Sequence, residues 1–334
     1  MRVAFESPTG AYVGAAESAR SLMNEPIRTV AVVGTGVIGA SWAALFLAHG
    51  RRVIATDPAE GAEERLRNAV DIHWGWLHEH GRVLERSYTG LHFDADLERA
   101  VGCVQFVQEN GPEQLELKQA LLARLDAATS PHVILATSSS GLLISAIQAR
   151  CTNPQRVIVG HPVNPPHLLP LVEVIGGEVA SAEAIARAMS FYTEIGKRPI
   201  HLQVEVKGHL ANRLQAAVWQ EMISLVSNGV ASAAEVDAAM RYGIGPRWAA
   251  QGPFINLHLS GGTGGLRRVL ELLGPAMESW WRDLGQVTLT PAIIDTVVAS
   301  TQELIAGEDL KLLSASRDSA VARILEAAIN SRSP

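Results

Sequence analysis

The chain has 334 residues, which is long for a single core and suited to two domains, and 47% hydrophobic against 19% charged residues describes a globular protein. A net charge of −6 with no basic run among aromatics argues against nucleic acid as a partner, and no stretch approaches the roughly 18 continuous apolar residues of a membrane span. Cys103 and Cys151 are too few for a disulfide framework, and residues 1–26 lack a signal-peptide pattern, so a cytoplasmic location is expected.

Residues 1–26 read as an N-terminal extension, either a loose arm or a strap that contacts another subunit. Residues 28–33 form a β-rich run that ends in Gly34-Thr35-Gly36-Val37-Ile38-Gly39 and continues as an apolar helix through residue 48. Gly50 stops that helix, and residues 51–57 make a second strand that ends in Asp57. Residues 104–109, 133–137, 156–160 and 198–202 read as further strands, with a helix over 113–128 between the first two. Strands that alternate with helices predict an α/β fold, a doubly wound Rossmann-type sheet over residues 27–206. From Lys207 the apolar residues recur at helical spacing, so residues 207–334 are expected to be an all-helical domain for substrate and dimer contacts.

The glycines meet the three conditions of a dinucleotide fingerprint: they follow a strand, open a helix and precede an acid. Gly34 permits the turn, Gly36 lets backbone approach a pyrophosphate, and Gly39 lets helix pack on strand, while the amides around Val37 and Ile38 face the anion. Asp57 would bond the ribose hydroxyls and repel a 2′-phosphate, which favours NAD and makes NADP the lesser cofactor.

A second feature is Gly160-His161-Pro162-Val163-Asn164-Pro165-Pro166, where the prolines exclude a helix and predict a shaped loop. Glu173 is the one acid in the apolar run 168–175, and a buried carboxylate there needs a partner. His161 is the candidate: an imidazole is the side chain whose unperturbed pKa lies near neutrality, and a carboxylate on its far nitrogen would fix the tautomer and stabilise the imidazolium. The alternative is a structural turn beside a half-exposed glutamate.

The fingerprint, Gln108-Glu109-Asn110, Leu115-Glu116-Leu117-Lys118, Ser138-Ser139-Ser140, His161 to Pro165 with Glu173, and Gly208 with Asn212-Arg213-Leu214 together resemble the 3-hydroxyacyl-CoA dehydrogenase superfamily. The resemblance runs from about Arg28 to beyond Pro253 and implies a catalytic His161–Glu173 pair, with Ser140 and Asn212 holding the substrate oxygen. It also implies cofactor-side positions for Glu109, Lys118, Ser138 and Asn164, a homodimer, and a small-molecule substrate that gains or loses hydride at its C3. Members that act on CoA thioesters usually carry two aromatics after the histidine, where this chain has Pro162-Val163. His-Pro-x-Asn-Pro is similar to the branch without CoA: L-gulonate 3-dehydrogenase and lambda-crystallin, L-carnitine dehydrogenase, and actinomycete aromatic-polyketide ketoreductases. The arginine-heavy composition leans toward the last of these. His209 stands where an aromatic or aliphatic residue is usual.

Other clusters receive plainer readings. His73, His78 and His80 lie with Trp74 and Trp76 at helical spacings that put only some on one face, so no metal is expected. Trp248, Trp280 and Trp281 read as core or dimer contacts, and Arg213 and Arg247 as partners of a substrate carboxylate or of a salt bridge. Ser138 to Ser140 either cap the next helix or serve the substrate. The expectation is an oxidoreductase that interconverts a 3-keto acid and its L-3-hydroxy acid, the substrate being a polyketide-derived acid, a sugar acid or carnitine. The rivals are fatty-acyl-CoA oxidation and a crystallin-like protein that only binds cofactor.

Overall fold

The computed structural model describes residues 26–330, so the expected N-terminal extension, apart from Pro26, lies outside the described residues. The chain falls into two compact units, one ending at Arg213 and the other beginning at Leu214.

The first unit is an eight-stranded sheet. Its strands are β1 (Thr29–Val33), β2 (Arg52–Thr56), β3 (Leu91–Phe93), β4 (Phe106–Glu109), β5 (Ile134–Thr137), β6 (Val157–Pro162), β7 (Leu171–Gly176) and β8 (Arg198–Leu202). Their spatial order is β3-β2-β1-β4-β5-β6-β7-β8, parallel throughout except where β7 runs against β6. The first six strands follow the doubly wound order of dinucleotide-binding folds. β3 is three residues long and carries too little pattern to be read from sequence.

Helices cover both faces, which is why the strands are apolar on both sides. Val30 and Val32 face a core shared with α1 (Val37–Ala48), α2 (Ala62–Glu79) and α6 (Ala182–Glu194). Ala31 and Val33 face the opposite core, with α3 (Leu97–Val101), α4 (Leu115–Ala128) and α5 (Ile144–Ile147). Trp42 and Phe46 of α1 stack at 5.3 Å, and Phe106 and Phe191 meet at 4.5 Å beneath them. A buried Arg156–Asp126 ion pair fastens the start of β6 to the end of α4.

The predicted histidine loop needs one correction. His161 and Pro162 belong to β6, because the antiparallel ladder with β7 continues to their end, pairing His161 with Glu173 and Pro162 with Val172. A proline is tolerated there because it closes the strand. The turn starts only at Val163, and Asn164 and Pro165 are joined by a cis peptide bond.

The helix α7 (Ala211–Ser227) leads from the first unit into the second. The second continues with α8 (Ala233–Ala239), α9 (Gly245–Gln251), α10 (Pro253–Ser260), α11 (Gly265–Asp283), α12 (Pro291–Leu304) and α13 (Leu310–Asn330). A capping box between Ser232 and Glu235 starts α8. Val226, Val236, Val269 and Ala322 are buried, but Trp280 and Trp281 are 62% and 59% exposed, so they are not core residues. No described helix is long and apolar enough to cross a membrane.

Candidate active site

Five neighbouring parallel strands end on one edge, and the sheet order strings the predicted residues along it: Asp57 after β2, Gly34 after β1, Glu109 ending β4, Ser138 after β5 and His161 near the end of β6. Ligands of open α/β sheets bind outside this carboxyl edge.

At the β1–β2 end, each glycine does what its position requires. Gly34 has φ +84°, and a Cβ there would lie 2.8 Å from the Asn110 backbone. A Cβ on Gly39 would sit 1.9 Å from the Gly34 carbonyl oxygen, whereas one on Gly36 would meet nothing within 4 Å. The open space thus lies where the backbone must approach a pyrophosphate, at the N-terminus of α1, whose first turn with Val37 and Ile38 has no side-chain cap. Asp57 Oδ2 accepts from the Thr35 amide (2.8 Å) and hydroxyl (3.1 Å), and Oδ1 from the Ala59 amide (2.9 Å). These bonds aim the carboxylate along the rim of a cleft of about 1010 Å³, lined among others by Gly36, Asp57, Ala95, Asn110, Pro112 and Leu121. Glycine backbone, helix amides and a fixed acid suit a dinucleotide.

Glu109, at the same edge, meets Lys118 of α4. They are fully buried and close on each other, with Lys118 Nζ donating to both Glu109 oxygens at 3.0 and 3.1 Å. Glu109 also accepts from the Thr137 hydroxyl and the Gly111 amide, and Lys118 donates to the Gly111 carbonyl. The pair therefore folds the Asn110-Gly111-Pro112 turn that lines the cleft. Ser138 accepts from Trp42 Nε1 and Gln108 Nε2 and donates to Asn110 Oδ1.

The acid that reaches the serine loop is Glu113, which sequence reasoning passed over. Its Oε1 accepts from the Ser139 hydroxyl (2.7 Å) and the Ser140 and Gly141 amides (3.0 Å each). Burial pushes this carboxyl up, but the Ser139 bond, Lys118 and the amides together hold it below the usual range. The available signal was an acid placed directly after Gly111-Pro112 and ahead of a helix.

At the other end of the edge, His161 Nδ1 lies 2.7 Å from Glu173 Oε2. Glu173 is fully buried, and its Oε1 accepts from the Leu210 and Ala211 amides at 2.7 and 2.9 Å. Burial raises the Glu173 carboxyl, but His161 and the two amides outweigh it and hold the group below its ordinary value. A carboxylate only accepts, so Nδ1 carries the hydrogen and Nε2 is left for proton exchange. Asn212 Nδ2 donates to the Ser140 carbonyl at 2.8 Å, which brings Asn212, Ser140, His161 and Glu173 into one group. The serines do not cap α5, whose N-cap is Leu143 with no side-chain bond. Asn164 is exposed in the turn after β6.

The prolines of that turn are held by Lys197, a buried ammonium that donates to the Pro166 and Leu169 carbonyls and lies 5.1 Å from the Trp42 ring. Burial lowers its pKa to about 7. His73 and His80 pack against aromatic rings, His73 on His167 and His80 on Trp76, and no group of three or more potential ligands for a metal occurs among the described residues. Arg213 Nη1 donates to the Lys207 carbonyl at 3.4 Å.

Residues 29–206 match the NAD binding domain of 3-hydroxyacyl-CoA dehydrogenase, and residues 208–275 match its C-terminal domain. The chain belongs to the 3-hydroxyacyl-CoA dehydrogenase family. It is an NAD-dependent dehydrogenase that acts on a CH–OH group. It is 45% identical to an L-carnitine dehydrogenase of Streptomyces coelicolor over 303 residues, 91% of this chain and 95% of the relative. An L-carnitine dehydrogenase of Pseudomonas aeruginosa is 44% identical over 301 residues, 90% of this chain and 94% of its own. Among solved structures, a 5-formyl-3-hydroxy-2-methylpyridine 4-carboxylic acid 5-dehydrogenase, described as an NAD+-dependent dismutase, superposes with a TM-score of 0.78 at 29% identity, covering 90% of this chain and 99% of that one.

Proposed function

We propose that this dehydrogenase interconverts a small free L-3-hydroxy acid and its 3-keto acid, with NAD preferred to NADP. The observation that carries the reading is the His161–Glu173 pair, with its exchangeable Nε2, grouped with Ser140 and Asn212 at the edge that also bears the glycine turn. In oxidation, His161 Nε2 takes the proton of the substrate hydroxyl while Glu173 stabilises the imidazolium that forms. Ser140 and Asn212 hold the oxygen and, in the reverse direction, polarise the carbonyl. A dinucleotide held along the glycine turn and Asp57 would supply or take the hydride at the substrate's C3. The fixed Asp57 carboxylate supports NAD over NADP by repelling a 2′-phosphate.

Pro162-Val163 in place of two aromatics favours a substrate without CoA, and the carnitine dehydrogenase relatives favour L-carnitine over the sugar-acid and polyketide alternatives. Exposed Trp280 and Trp281, with Leu272 and Leu273 on the same helix, support self-association into a homodimer, and the composition supports a cytoplasmic setting. The test is absorbance at 340 nm with NAD or NADP against L-carnitine, L-gulonate, an aromatic 3-hydroxy acid and 3-hydroxybutyryl-CoA. Turnover of L-carnitine with NAD and none of the thioester is expected. Turnover of the thioester alone, or of nothing, would overturn the free-acid reading.

A further inference from the structure

His209 is 1% exposed and has φ +52°, in the left-handed region that residues with a Cβ rarely adopt. Three contacts accompany that conformation. Its Nε2 lies 2.9 Å from the Ser139 carbonyl oxygen, and its ring lies 5.2 Å from the His161 ring. The two amides that follow it are the ones that hold Glu173. The left-handed turn thus aims two amides at one member of the pair and lays an imidazole beside the other.

The Ser139 carbonyl can only accept, so the hydrogen sits on Nε2 and Nδ1 is a bare acceptor. That Nδ1 is buried and has no partner among the described residues, a cost a phenylalanine ring would avoid. The imidazole must therefore be kept for its Nε2–H. Burial and the neighbouring His161 keep the ring neutral by lowering its pKa, although the Ser139 bond works the other way. Ser139 is itself fully buried, and Asn212 holds the next carbonyl, so two donors three positions apart lace the serine loop to the start of α7.

We infer that His209 is a positioning residue whose Nε2–H holds Ser139, and with it Ser140, in register with the His161–Glu173 pair. This rests on the reading that His161 moves the proton and Ser140 holds the substrate oxygen.

The test compares His209→Gln, whose amide reaches the Nε2 position, with His209→Asn, which mimics Nδ1 and adopts left-handed backbone readily, and with His209→Phe, which keeps only the ring. Amide hydrogen exchange over residues 139–142, with NADH bound, reads the loop without any substrate. Exchange should rise roughly tenfold in the Phe and Asn variants and stay near wild type in the Gln variant. With L-carnitine, kcat should fall ~10²-fold in the Phe variant with the KM for NAD unmoved, and Gln should restore most of it. Wild-type exchange in the Phe variant, or rescue by Asn as full as by Gln, would overturn the inference. Should Phe fail to fold, Gln against Asn still decides it. A wild-type enzyme silent on L-carnitine would count against the substrate reading while the exchange arm still judges His209.

Discussion

The glycine turn after β1 and the histidine–glutamate pair on β6 and β7 share one sheet edge and are built by different means. The turn relies on backbone: two glycine contacts too close for a Cβ, an open position at Gly36, and helix amides, with Asp57 as its main charged group. The pair relies on buried charge: a carboxylate with three donors, an imidazole, a neighbouring imidazole held neutral and an ammonium under the loop. Binding an extended anion calls for close approach and dipoles, whereas moving one proton calls for a fixed tautomer in a place that water does not dominate. Substitutions at one end should therefore leave the other end's property intact.

The largest separation is expected from Glu173→Ala. It should lower kcat by roughly 10³–10⁴-fold, the scale of removing the acid of a His–acid pair, while NADH binding followed by fluorescence stays unchanged. Gly39→Ala should do the reverse. Its Cβ meets the Gly34 carbonyl at 1.9 Å, so unfolding by urea should show a loss of about 3 kcal/mol together with weak NADH binding.

Lys197 marks the proton end in the pH dependence of stability. Its folded pKa lies near 7 against 10.5 unfolded, so between those values the unfolded chain holds more protons and stability rises with pH. Lys197→Met should flatten that rise, worth about 3 kcal/mol, in melts taken from pH 7 to 10. The smallest effect is expected from Asp57→Ser, which should shift the NADH-to-NADPH preference about tenfold, or ~1.4 kcal/mol, with kcat for NADH little changed.

The two ends also differ in how far they could be read from sequence. Strand, glycines, helix and acid are local and periodic, so β1, α1, β2 and the backbone settings of Gly34, Gly36 and Gly39 were legible. The His161–Glu173 pair was legible because a lone acid in an apolar run demands a partner, although the pairing came through an antiparallel ladder rather than a loop. Glu109 with Lys118, Glu113 on the serine loop and His209 on Ser139 join residues 9, 26 and 70 positions apart, and nothing local says which polar atoms will meet. Trp280 and Trp281 illustrate the converse: sequence left them as core or dimer contacts, and their exposure on α11 removes only the first.

The most direct measurement is NADH titration and turnover on His161→Ala in parallel, using whichever acid the 340 nm survey identifies. Turnover reduced by at least ~10³-fold with the NADH Kd within about twofold of wild type is the expected result. Retained turnover, or loss of NADH binding in step with activity, would contradict the assignment of proton transfer to His161.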